Sequence, residues 1–195
     1  TATARLRRSG AILLGKTATT EYACFDPAET CNPWNPNHTP GGSSSGSAAA
    51  VAARMCPAAL GSQTGGSISR PAAYCGTVGL KATHGRVSLH GVLPVSFSLD
   101  HVGPITRSVA DAALLLQSIA GPDPQDPVSA SVPTTDYRVR PPARPPRIGL
   151  LRSYFLETAS SDMQTATEQA AHTLQSAGAQ IQNVELPDSF ASVHQ

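Results

Sequence analysis

The run Gly41-Gly42-Ser43-Ser44-Ser45-Gly46, leading directly into the Ala-rich stretch Ser47 to Met55, constrains this chain more than any other feature. The Ala-rich stretch reads as a helix with small residues on every face, so its neighbours must approach closely. Its Ser-rich start exposes backbone N–H groups at the positive end of the helix dipole, which suits an anion or an oxyanion. A flexible Gly/Ser linker is the competing reading. A linker joins unrelated units, however, and this run opens a helix. Further on, Gly61-Ser62-Gln63-Thr64-Gly65-Gly66-Ser67 places two glycines before a serine. Such a turn gathers N–H groups at one point and presents the serine for attack on a carbonyl. Alone it would pass for an ordinary glycine turn.

The other elements follow from periodicity and punctuation. Residues 2–9 read as a helix stopped by Gly10, and Ala11–Leu14 as a short buried strand. Residues 26–42, with four prolines and several asparagines, make a long loop. Pro57–Ser62 predicts a strand, Arg70–Tyr74 a helical turn and Thr77–Lys81 an extended segment. Residues 108–120 predict the clearest helix, capped by Ser108, with Asp111 in its first turn and Gly121-Pro122 at its end. Residues 147–151, 161–177 and 180–184 predict strand, helix and strand, with Gly178 ending the helix. Alternating strands and helices imply an α/β fold with a mixed β-sheet core covered by helices. The organisation expected is a core over 1–121, a Pro-rich connector over 122–146 and a continuing β-α-β unit over 147–195.

Composition narrows the function. Charged residues make up 14% and the net charge is +1, with only Arg7-Arg8 adjacent, so direct nucleic-acid binding is not expected. The longest uninterrupted apolar run, Ala48 to Ala53, is too short to span a bilayer. Cys24, Cys31, Cys56 and Cys75 include no CxxC pair, which argues for reduced thiols in a cytoplasmic protein, with Cys75 a packed core thiol. His38, His84, His90, His101, His172 and His194 share no metal spacing, so no metal site is expected. Gly10-Ala11-Ile12-Leu13-Leu14-Gly15-Lys16-Thr17 matches the phosphate-loop pattern letter for letter. Its context is wrong, because a helix precedes it and Thr17-Ala18-Thr19-Thr20 starts a helix poorly.

The serine-bearing segments and the text around them resemble the amidase signature family. There a Gly-Gly-Ser-Ser-Gly segment opens an Ala-rich helix and a Gly-Gly-Ser-Ile/Val segment follows. This chain then continues with Arg70-Pro71-Ala72-Ala73-Tyr74-Cys75-Gly76-Thr77-Val78-Gly79-Leu80-Lys81-Ala82-Thr83-His84-Gly85-Arg86 and Ser98-Leu99-Asp100-His101-Val102-Gly103-Pro104-Ile105-Thr106-Arg107-Ser108-Val109. Ala11 to Thr17 and Asn32-Pro33-Trp34-Asn35 add to the likeness, which is strong over residues 1–121 and weaker beyond. Three positions depart from the common pattern: Ser45 for Gly, Gln63 for Asp, and Ser69.

The resemblance implies an amidohydrolase that cleaves the C–N bond of linear amides through a Ser–cis-Ser–Lys triad and an acyl-enzyme, without a cofactor. Ser67 maps onto the nucleophile and Ser43 onto the relay, with a cis bond between Gly42 and Ser43. Thr64, Gly65, Gly66 and Ser67 map onto the oxyanion hole; Gly42, Ser44 and Arg70 support the site. The family's lysine has no counterpart, because Lys16 and Lys81 match other positions. The chain opens on Thr1 and reads as a fragment cut at both ends, inactive on its own. The expected ligand is a small amide, and a homodimer is allowed. Two other readings are the A subunit of an aminoacyl-tRNA amidotransferase, acting as a glutamine amidase, and an inactive amidase-like remnant. A Ser-His-Asp site using His84 or His101 with Asp100 is disfavoured, because Ser67 is not in a G-x-S-x-G elbow.

Overall fold

The computed structural model describes residues 1–140 and 142–190; His194 and the end of the 147–195 unit lie outside them. Contacts divide the chain into one unit from Thr1 to Val139 and a second from Arg140 onward.

The first unit is built on a three-stranded antiparallel sheet. Its central strand is β3 (His101–Thr106), flanked by β1 (Ala58–Gln63) and β2 (Val78–Gly79). Alternate side chains of a strand face opposite ways. Val102 therefore joins one apolar cluster, with Leu6, Leu116 and Ile119, while Ile105 joins the other, with Ala48, Val51, Ile68 and Cys75. Helices α1 (Ala2–Arg8) and α4 (Val109–Ile119) supply the first cluster; α2 (Ser45–Ala52) and the two residues that flank α3 (Ser69–Tyr74), Ile68 and Cys75, supply the second. In α4 the buried residues Ala112, Ala113, Leu116 and Ile119 form a stripe at helical spacing. The Ser108 hydroxyl caps it by accepting from the Asp111 N–H at 3.1 Å.

Most predicted elements are present within a residue or two, one expectation changes, and one strand had no counterpart in the sequence reading. That strand is β3, whose central Gly103 and Pro104 are poor strand formers. Gly103 serves close packing there: a Cβ at this position would collide with the Leu80 carbonyl oxygen. Residues 11–14, expected as a buried strand, form no strand, and Ile12 and Leu14 are 85% and 73% exposed. Their backbone pairs with no strand among the described residues, and an unpaired segment has no ladder to bury it. No helix follows Lys16 either, so the phosphate-loop pattern has no phosphate-loop structure.

The second unit pairs β4 (Arg147–Leu151) with β5 (Gln180–Val184) in parallel, joined by α5 (Ser161–Ser176). Gly178, at φ +99°, closes α5 as expected. Among the described residues no helix is long and apolar enough to cross a membrane.

Two measurements test this packing. Ile105 is fully buried at the sheet's centre, so Ile105→Ala lowers the unfolding free energy by roughly 2–4 kcal/mol in urea denaturation; a loss within about 0.5 kcal/mol would contradict that placement. Asp123 accepts hydrogen bonds from Ser88 Oγ (2.6 Å), Thr1 Oγ1 and the Gln125 N–H (3.0 Å), and these hold its carboxyl well below the usual carboxylate range. Its stabilising contribution is therefore full above the pH of about 4 where an unfolded aspartate ionises, and fades as pH falls further. Asp123→Asn flattens the decline of stability below that pH; an unchanged acid profile would show that the carboxylate contributes nothing.

Candidate active site

Strand β1 ends at Gln63 and α3 begins at Ser69, and the turn between them carries Thr64 to Ser67. Gln63, only 6% exposed, holds both sides of this turn. Its Oε1 accepts from the Ile68 N–H (2.8 Å), the Ser69 N–H (2.9 Å) and Ser69 Oγ (2.8 Å), while its Nε2 donates to the Gly65 carbonyl (3.3 Å). A carboxylate at the same place would lack the donor for Gly65. The Thr64 hydroxyl is tied to Asp100 Oδ1, and Asp100 Oδ2 accepts from the N–H groups of Val95 (2.8 Å) and Ser96 (3.0 Å). With these side-chain holds in place, the N–H groups of Thr64, Gly65, Gly66 and Ser67 donate to no acceptor among the described residues. Unpaired N–H groups converging on a turn are suited to a developing oxyanion.

The other wall comes from the start of α2. Its approach depends on Gly46, where a Cβ would lie 2.6 Å from the Ala18 nitrogen; the Gly46 N–H donates to the Ala18 carbonyl at 2.9 Å. The Thr20 N–H donates to the Ser43 carbonyl (3.1 Å) and the Ser44 N–H to the Ser67 carbonyl (3.2 Å). The Ser44 hydroxyl straddles Ser62, accepting from its N–H at 3.1 Å and donating to its carbonyl at 3.2 Å. The long Pro/Asn loop is pinned to the end of α3: Trp34 Nε1 donates to the Cys75 carbonyl (2.8 Å) and Asn32 Nδ2 to the Tyr74 carbonyl (3.0 Å). Cys75 is fully buried, donates to the Pro40 carbonyl at 3.4 Å, and has its thiol pushed up by burial. These contacts deliver Gly41 to Ser43 to the turn, and the Gly42–Ser43 peptide is cis.

Ser43 (4% exposed) and Ser67 (9% exposed) line one cleft of about 180 Å³, together with Gly42, Phe25, Arg70 and Tyr74. Neither serine hydroxyl has a hydrogen-bond partner among the described residues, and the two are not bonded to each other. The family likeness places Ser43 and Ser67 in one relay; the structure brings them to one cleft and leaves the hydroxyl contact unmade. Lys16 and Lys81 do not line it: Lys81 Nζ instead donates to the Ala82 carbonyl (3.2 Å) and sits 3.3 Å from His101 Nε2. No histidine lines it, and Asp100 binds Thr64 rather than an imidazole, so a Ser-His-Asp arrangement is not formed. Sequence reasoning missed the grip of Gln63 and Asp100 on the turn, and the place of Phe25 and Cys24 in the cleft wall. The departure at Gln63 from the family's Asp was the one signal that could have pointed to the first.

The scaffold brings two serine-bearing segments to one cleft, and comparison with known proteins shows the class of protein to which this arrangement belongs. The profile of the family described as Amidase matches residues 1–194. The chain belongs to the amidase family, whose fold it shares. It is 48% identical to the A subunit of the glutamyl-tRNA(Gln) amidotransferase of Trichlorobacter lovleyi, over 99% of this chain and 41% of that protein. Among solved structures it is similar to the native peptide amidase of Stenotrophomonas maltophilia (44% identity, TM-score 0.88, 99% of this chain and 43% of that one). It is also similar to the A subunit of the glutamyl-tRNA(Gln) amidotransferase of Thermotoga maritima (35% identity, TM-score 0.91, 99% and 44%). The chain thus spans 41% of the length of the first curated relative.

The hold of Gln63 on the turn is open to measurement. Gln63→Ala leaves the Ile68 and Ser69 N–H groups without their acceptor and lowers stability by roughly 1–3 kcal/mol in chemical denaturation. A loss within about 0.5 kcal/mol would show that water replaces the side chain without cost.

Proposed function

We propose that this chain carries the nucleophile, relay and oxyanion parts of an amidohydrolase that cleaves linear amides through an acyl-enzyme. One observation carries the reading: Ser43 and Ser67 line the same cleft, and the N–H groups of residues 64–67 have no protein acceptor among the described residues. A neutral base draws a proton from Ser67 Oγ by way of Ser43 Oγ, and Ser67 Oγ attacks the amide carbonyl carbon. The carbonyl oxygen gains charge and is received by the free N–H groups; by precedent one such donor is worth about 3–4 kcal/mol. The proton returns to the leaving nitrogen, the C–N bond breaks, and water then releases the acyl group from Ser67. Neither lysine lines the cleft, so the reading requires the base to come from outside residues 1–195, and it takes this chain alone to be inactive.

A second reading is favoured by the 48% identity to the A chain of an amidotransferase: the same site would release ammonia from glutamine inside a multi-subunit complex. Dependence of turnover on partner subunits and on glutamine separates the two.

The test is amide hydrolysis by the full-length protein that contains this sequence. Ser67→Ala abolishes it, and Ser43→Ala lowers kcat by about 10²–10⁴-fold, the usual weight of proton transfer. Full activity in Ser67→Ala, or robust hydrolysis by residues 1–195 alone, would overturn the assignment. Inertness of the unaltered full-length protein towards amides, with or without partner subunits, would favour an inactive remnant.

A further inference from the structure

Thr20 lines the cleft with Ser43 and Ser67 and is only 4% exposed. Its Oγ1 is buried and has no hydrogen-bond partner. Among the described residues the other buried, unpartnered side-chain polar atoms belong to His84, Tyr137 and Ser153, none of which lines the cleft. The ordinary use of a threonine at this place is not made. Thr20 stands at the N-cap of the short 3-10 turn Glu21–Ala23, where a hydroxyl normally accepts from a backbone N–H, and its side chain makes no such bond. The rest of the residue is tightly held. Its N–H donates to the Ser43 carbonyl (3.1 Å), and its carbonyl accepts from the Ala23 N–H (3.1 Å) and from Thr19 Oγ1 (3.0 Å). Its Cγ2 packs against Gly42, where an added Cβ would come within 2.9 Å of it.

A buried hydroxyl without a partner is costly, and the large majority of such groups in folded proteins are paired. The residue whose carbonyl Thr20 already holds carries a hydroxyl in the same condition, since Ser43 Oγ has no partner among the described residues. The backbone bond keeps the two residues side by side, and rotation about χ1 is the freedom left to each hydroxyl. A serine oxygen carries one proton and two acceptor sites. In the relay Ser43 Oγ gives its proton to the base and takes one from Ser67 Oγ, which uses one acceptor site and leaves the other open. We infer that Thr20 is a positioning residue whose hydroxyl donates to Ser43 Oγ at that open site and holds the oxygen turned towards Ser67. This rests on the amidohydrolase reading. The bond strengthens as Ser43 Oγ gains negative charge on passing its proton to the base, so it favours the transfer as well as the geometry.

The experiment uses the full-length protein that contains this sequence and reads the rate at which a fluorophosphonate labels Ser67. Thr20→Val, which keeps the shape and removes the hydroxyl, slows labelling by about 10–100-fold, the weight of a misplaced reacting group. Thr20→Ser, which keeps the hydroxyl, restores the rate to within about fivefold of the unaltered protein. In a Ser43→Ala background, Thr20→Val slows labelling no further. An unchanged rate in Thr20→Val, or an effect that persists undiminished without the Ser43 hydroxyl, would overturn the inference. Thermal unfolding of the same variants decides the contact without any chemistry. Thr20→Val lowers Tm by about 2 °C when Ser43 is present and leaves it unchanged in Ser43→Ala. A Tm unchanged or raised by Thr20→Val alone, as removal of a hydroxyl with no partner would give, overturns the inference. Absence of labelling in the unaltered protein would instead count against the amidohydrolase reading.

Discussion

The hydrogen bonds of Ser44 are the constraint on which the site depends. Its N–H reaches the Ser67 carbonyl and its hydroxyl brackets the Ser62 backbone on both sides. These contacts fasten the start of α2 to the end of β1 and to the serine turn, across a sequence separation of 18 positions or more. Without them Ser43 and Ser67 would belong to separate surfaces. Ser44 is only 3% exposed, so each of these bonds forms where water cannot compete, and the loss of one would leave a buried partner unpaired.

The rest of the structure keeps that junction in place. Ile68 and Ile105, both fully buried, pack with Ala48 and Val51 directly beneath it and link α2, α3 and the sheet in one apolar cluster. Small residues in α2 let the helix approach the sheet closely, and Gly46 lets it approach the backbone at Ala18. Gln63 and Asp100 then use side-chain atoms to satisfy the neighbours of the turn, leaving the turn's own N–H groups without an acceptor among the described residues.

Much of this was legible in the sequence because local rules sufficed. The Ser108 cap, the Gly178 stop and the β-α-β spacing of 147–184 depend on near neighbours, and they stand close to where the pattern predicts them. The two serine segments were legible as chemistry, and the family likeness supplied their relation. What could not be read was non-local. Strand β3 hides behind Gly103-Pro104, because its identity comes from pairing with β1 and β2 rather than from its own alternation. Residues 11–14 are apolar enough for a strand yet have no strand partner among the described residues, and periodicity cannot supply one. The ties of Asp100 to Thr64 and of Trp34 to Cys75 span distances in sequence that no short pattern encodes.

The central claim is that Ser67, Ser43 and the N–H groups of residues 64–67 act on one carbonyl. A crystal structure of the full-length protein inactivated by a fluorophosphonate addresses it directly. The account predicts phosphorus bonded to Ser67 Oγ, its free oxygen about 3 Å from N–H groups of the turn, and Ser43 Oγ within hydrogen-bond reach of Ser67 Oγ. An adduct on another residue, or a phosphoryl oxygen turned away from residues 64–67, would contradict it.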